Sequence, residues 1–159
     1  LDRWEHCDMA FATVYAALVC PEKSNHTLMR AFGTITAPAT KKTMTWEACD
    51  AFFAGNPCDL RAETRHILNL YGDASARRNE IAHAMVIRDM FVDIVTDWFL
   101  MPPIFATRKN KMFHDGPKYR LSTREVDHFA KCFTALADRA RKNSQAIREA
   151  YWSLQEKPA

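Results

Sequence analysis

Arg77, Arg78, Asn79 and His83 fall in one short run, Arg77-Arg78-Asn79-Glu80-Ile81-Ala82-His83. An imidazole able to trade protons near neutral pH, beside guanidinium groups that fork onto oxyanions, is a set suited to an anionic ligand. On a helix, Asn79 and His83 are four apart and share a face, and the long Arg78 side chain can swing toward it. Gly72 reads as the C-cap of one helix and Asp73 as the N-cap of the next, over about residues 74–86. Both arginines then lie in a first turn, where the positive end of the helix dipole opposes them. Cations placed there make sense where an anion such as phosphate is to be bound.

The elements that must carry this run are mostly helical. Asp2 followed by Glu5 has the form of a capping box. Trp4, Cys7, Phe11, Val14 and Leu18 then repeat at steps of three and four, one buried stripe on a helix stopped by Pro21. Ser24 is placed to cap a short helix carrying Leu28, Met29 and Phe32, ending near Gly33. Residues 34–45, rich in Thr, Ala and Pro, read as a connection. A helix over about 46–53 would bury Trp46, Cys49 and Phe53. Gly55-Asn56-Pro57 ends it and opens the next, with Asn56 as cap and Pro57 at the first helical position. Leu60, Ile67, Leu68 and Tyr71 supply that helix's apolar side.

Residues 87–121 read as a small hairpin or irregular insert. The stretch 91–100 is apolar and β-branched, Pro102-Pro103 breaks it, 104–109 reads as a returning strand, and Asp115-Gly116-Pro117 as a turn. Ser122 and Glu125 then form a capping box. Val126, Phe133, Ala140, Ile147 and Leu154 repeat every seven residues, with Phe129, Leu136, Asn143 and Ala150 in the intermediate row. That pattern predicts a final helix of about 30 residues, some 45 Å long. Its length suits either a core helix with an exposed tail or a helix partly packed on a second subunit.

Composition sets the class. A chain of 159 residues with 48% hydrophobic and 26% charged residues fits one domain with its own core. With 4 Gly and 7 Pro there is little room for linkers or for the many turns of a β-sandwich. The expected fold is all-α, an up-and-down bundle of four to six helices with the insert ahead of a long C-terminal helix. The net charge of +3 permits an anionic partner without requiring one. Five cysteines, none in a C-x-x-C pair, read as reduced thiols of a cytoplasmic protein. No apolar run reaches the ~18 residues needed to span a membrane.

Arg-Asn-x-x-Ala-His on a helix, after several amphipathic helices, resembles the HEPN superfamily (higher eukaryotes and prokaryotes nucleotide-binding). Its signature is Arg, four to six residues, then His, often with a polar residue just after the Arg. Four pairs here have that spacing: Arg61 with His66, Arg77 with His83, Arg78 with His83, and Arg108 with His114. About 1.5 would arise by chance, so context decides. Arg78 alone has the following Asn, the Ala before His and the matching place in the helix order. Tyr119-Arg120-Leu121-Ser122 leads into the last helix as in stand-alone bacterial members, while Ala84 departs from the Gly many relatives carry.

The resemblance implies a helical bundle that dimerises and so brings two copies of the motif together. It also implies, in active members, a ribonuclease that needs no metal or other cofactor. His83 would take the proton of a ribose 2′-hydroxyl, whose oxygen attacks the adjacent phosphate. Arg78 would stabilise charge on the phosphate oxygens, Asn79 would hold the His or the ribose, and Arg77 would touch the phosphate backbone. Two other readings stay open: a non-catalytic nucleic-acid or nucleotide-binding module, and a protein-interaction dimer. Arg108, Lys109 and Lys111 on the insert could track RNA phosphates, with Phe113 or Tyr119 stacking on bases, or could form a solvated loop. Glu63-x-x-His66 resembles half of a di-iron site, but a second copy is absent.

Overall fold

The computed structural model describes residues 1–56, 58–88, 98–101 and 121–156. Five helices and three short strands run in the order α1 (Asp2–Val19), α2 (His26–Gly33), α3 (Pro38–Gly55), α4 (Leu60–Ala82), β1 (Met85–Arg88), β2 (Trp98–Met101), β3 (Leu121–Ser122) and α5 (Thr123–Gln155). The fold is the expected helical bundle with a small sheet inserted before a long last helix.

Four helices close a ring: α1 packs on α5, α5 on α4, α4 on α3, and α3 back on α1, while α2 leans on α1. The α1 stripe fills the middle, with Trp4, Cys7, Phe11, Val14 and Leu18 all buried. Tyr71 of α4 stacks on Phe11 at 3.8 Å and on Trp4 at 5.3 Å between ring centroids. Its hydroxyl donates to Asp8 Oδ1 at 2.5 Å, and Lys41 of α3, 5% exposed, forms an ion pair with Asp8 Oδ2. One carboxylate thus joins α1, α3 and α4 inside the bundle.

The capping box of α5 is present: Ser122 accepts from the Glu125 N–H, and Glu125 Oε2 accepts from the Ser122 N–H at 2.7 Å. Phe133, Ala140 and Ile147 of the seven-residue repeat are buried, with Val126 and Leu154 half-buried at the two ends. The apolar face is spent within the chain, against α1 and α4. Asn143, the polar member of the other row, is buried between α5 and α4, where its Oδ1 lies 3.2 Å from the Thr64 hydroxyl.

Several boundaries differ from those expected. The N-cap of α1 is Leu1, and Asp2 is already helical, with its carboxylate 3.7 Å from His6 one turn on instead of capping. Asn25, not Ser24, caps α2, because Asn25 has the extended backbone a cap needs and its side chain accepts from the Leu28 N–H. The connection ends at Ala37. Pro38 starts α3 at the position where its missing N–H costs nothing, and Thr43 and Thr45 satisfy their hydroxyls on carbonyls four residues back. Asn56 closes α3 instead of opening α4, donating from Nδ2 to Phe52 O at 2.9 Å. Pro57 lies outside the described residues.

The largest correction is at Gly72 and Asp73. These residues do not separate two helices, because α4 runs unbroken from Leu60 to Ala82. A Cβ on Gly72 would lie 3.2 Å from Lys42 Nζ, whose amine donates to Asn69 Oδ1 at 3.0 Å. The Lys42 side chain passes close across α4 at this point. The helix then ends at Ala82, earlier than the expected residue 86.

After α4 the chain enters an antiparallel sheet in the order β1-β2-β3, with Val86 opposite Leu100 and Leu100 opposite Leu121. Strand β2 falls at the end of the apolar stretch 91–100. The expected returning strand at 104–109 and turn at 115–117 lie outside the described residues. The sheet therefore bridges the end of α4 and the start of α5, and β3 passes directly into the α5 cap.

Candidate functional site

The continuous α4 changes the electrostatics of the singled-out run. Arg77 and Arg78 sit near the carboxyl end of a 23-residue helix, not in a first turn. Neither lies in the last turn, where the negative end of the dipole would favour a cation, so the dipole neither opposes nor accounts for their placement. The N–H cradle expected for phosphate is not at this point of the chain.

Each member of the run has a definite position. His83 is the C-cap of α4, with φ −104° and ψ 4°, and its backbone N–H donates to Asn79 O at 3.1 Å. The residue is exposed, one step before the chain enters the sheet. Arg78 Nη1 donates to Asn79 Oδ1 at 3.1 Å, so the amide oxygen expected to steady His83 or a ribose engages a guanidinium instead. Arg78 is half-buried, and its Nε lacks a hydrogen-bond partner among the described residues. Its charge acts on Tyr71, but burial and the bond to Asp8 outweigh that influence and hold the phenol pKa well above its ordinary value.

Arg77 is committed elsewhere. Its Nη1 lies 2.6 Å from Glu80 Oε2, and Glu80 is 1% exposed. The contact is an ion pair outside hydrogen-bond geometry, and among the described residues neither Glu80 oxygen accepts a hydrogen bond. Removing Arg77 would leave a buried carboxylate without its counter-charge, so Arg77 has a structural task whatever else it does. The position of Glu80 three residues after Arg77 on a helix was the signal available in the sequence.

Arg108, Lys109, Lys111, Phe113 and Tyr119 lie outside the described residues. Glu63 forms a two-pronged ion pair with Arg139, at 2.6 and 2.8 Å, which holds its carboxyl below the ordinary range. That use of Glu63 and the exposed position of His66 argue against the half di-iron motif. Among the described residues, no group of His, Cys, Asp and Glu is arranged to hold a metal ion, and no helix is long and apolar enough to cross a membrane.

Comparison with protein-family models, curated proteins and solved structures gives no match.

Proposed function

We propose that this chain is a HEPN-like RNA-processing protein, in which Arg78, Asn79 and His83 form half of a metal-independent ribonuclease site completed by a second copy in a homodimer. The observation that carries the reading is the exposed His83 imidazole at the end of α4, one turn beyond an Arg78–Asn79 pair. A histidine buried in the bundle could not meet RNA.

In this reading His83 accepts the proton of a ribose 2′-hydroxyl. The freed oxygen attacks the adjacent phosphorus, and the bond to the 5′-oxygen of the next nucleotide breaks. That oxygen leaves with a proton, yielding a 2′,3′-cyclic phosphate and a 5′-hydroxyl end. Arg78 turns from Asn79 to the phosphate oxygens as charge builds on them, while Asn79 is released to hold the ribose. Arg77, tied to Glu80, is assigned no contact with RNA.

The test mixes two inactive variants. Arg78→Ala and His83→Ala, each purified alone, should not cleave a single-stranded RNA in the presence of a chelator. Mixed and allowed to exchange subunits, they should recover part of the activity, because one hybrid site regains both groups. Active single variants, or an inactive mixture beside an active wild type, would contradict the composite site. Binding of RNA without cleavage by the wild type would favour a non-catalytic module.

A further inference from the structure

The groove between α4 and α5 has a volume of about 560 Å³ and is floored by Leu70, Phe129, Phe133 and Leu136, with Cys132 at its wall. Cys132 is exposed, and its Sγ lies 3.5 Å from Nε2 of His128, one helical turn earlier on α5. None of the roles assigned to Arg78, Asn79 and His83 uses this pair. A thiol, a base within reach of its proton and an apolar recess beside both are the parts of a covalent modification site.

We propose that Cys132 is a thiol modification site whose ligand is a small disulfide with an apolar or aromatic substituent, and that His128 activates it. The Cys132 proton passes to His128 Nε2. The sulfur then attacks one sulfur of the disulfide, the disulfide's S–S bond breaks as a new one forms to Cys132, and the other half leaves as a thiolate that takes up a proton. The substituent retained on Cys132 lies against Phe129, Phe133 and Leu136, out of water.

The other four cysteines lack this combination. Cys7 and Cys49 are fully buried, and burial pushes their thiols up to about 12 and about 11. Cys20 donates its thiol to the Glu22 carboxylate at 3.4 Å and has no imidazole beside it among the described residues. Cys58 is half-buried against the core. Exposure, a neighbouring base and an apolar recess coincide only at Cys132 among the cysteines.

The experiment treats the folded protein with a slight excess of the aromatic disulfide dithiobis(nitrobenzoate), follows thiol release and maps the first adduct by mass spectrometry. Cys132 should react first, and Cys132→Ser should abolish the fast phase. His128→Ala should slow that phase by roughly tenfold or more. Relative to a free cysteine peptide, the preference for the aromatic disulfide over oxidised glutathione should be larger at Cys132. First reaction at Cys20 or Cys58, or an unchanged rate in His128→Ala, would overturn the proposal. An unchanged reagent preference would remove the groove from it.

Discussion

Replacing Tyr71 by Phe tests the polar link through the bundle with the least disturbance. The ring stays, so the stacks on Phe11 and Trp4 survive, and what is lost is the hydroxyl that donates to Asp8 at 2.5 Å. A hydrogen bond to a charged group contributes about 1.5–3 kcal/mol. Asp8 keeps its partner Lys41, so it is not orphaned and the lower half of that range applies. Asp8→Ala removes more. It strands Lys41, whose side chain is 6% exposed, and breaking a buried pair costs about 3–5 kcal/mol. For a chain of this size each kcal/mol moves Tm by about 2–4 °C. Urea denaturation with an unchanged slope should rank wild type above Tyr71→Phe, and Tyr71→Phe above Asp8→Ala. A neutral Tyr71→Phe, or an Asp8→Ala no weaker than Tyr71→Phe, would refute this account of the link.

Other outcomes follow from the packing and the caps. Ile147→Ala, at a fully buried position on α5, should cost about 2–5 kcal/mol in the same assay. Ser122→Ala removes the hydroxyl that accepts from the Glu125 N–H while the residue 122 backbone N–H keeps its bond to the Glu125 carboxylate, and should cost about 1 kcal/mol, seen as earlier hydrogen exchange in the first turn of that helix. Stability should fall at alkaline pH. Cys7, Cys49 and Tyr71 all have raised pKa values in the fold, so above about pH 9 the unfolded chain releases protons that the folded chain retains. This contribution is intact below that pH and is lost as pH rises toward the folded values; a denaturation midpoint that holds steady from about pH 8 to pH 11 would contradict it.

What was legible in the sequence is what periodicity and caps encode directly. The α1 stripe and the α5 repeat give the same faces in sequence and structure, because burial on one side of a long helix imposes its own spacing. Local punctuation was less dependable. Gly72-Asp73 has the residue types of a helix end followed by a helix start, yet α4 runs through both, with Lys42 of α3 passing beside Gly72. Short-range rules have no access to such a neighbour. In the stretch 34–45 the misleading signal was composition, since Thr43 and Thr45 bond back to carbonyls of their own helix once Pro38 has started it.

The run at residues 77–83 was legible as a place but not as an electrostatic environment. Its position followed from the helix order. Its relation to the helix dipole depended on the continuity of α4, and the opposition expected in a first turn is gone once the two expected helices are one. Arg77 was expected on phosphate and is held by Glu80, a pairing the i,i+3 spacing permits but does not distinguish from a solvated surface pair. Exposure of His83 follows from the helix stopping at Ala82, which depends on where the sheet begins.

The measurement that bears most directly on the proposed function is cleavage of an end-labelled single-stranded RNA by the wild-type protein in excess chelator, beside His83→Ala at equal concentration. The account predicts fragments ending in 2′,3′-cyclic phosphate from the wild type and none from the variant, with both proteins equally folded by circular dichroism. Equal cleavage by the two proteins, or an intact RNA in both, would contradict it.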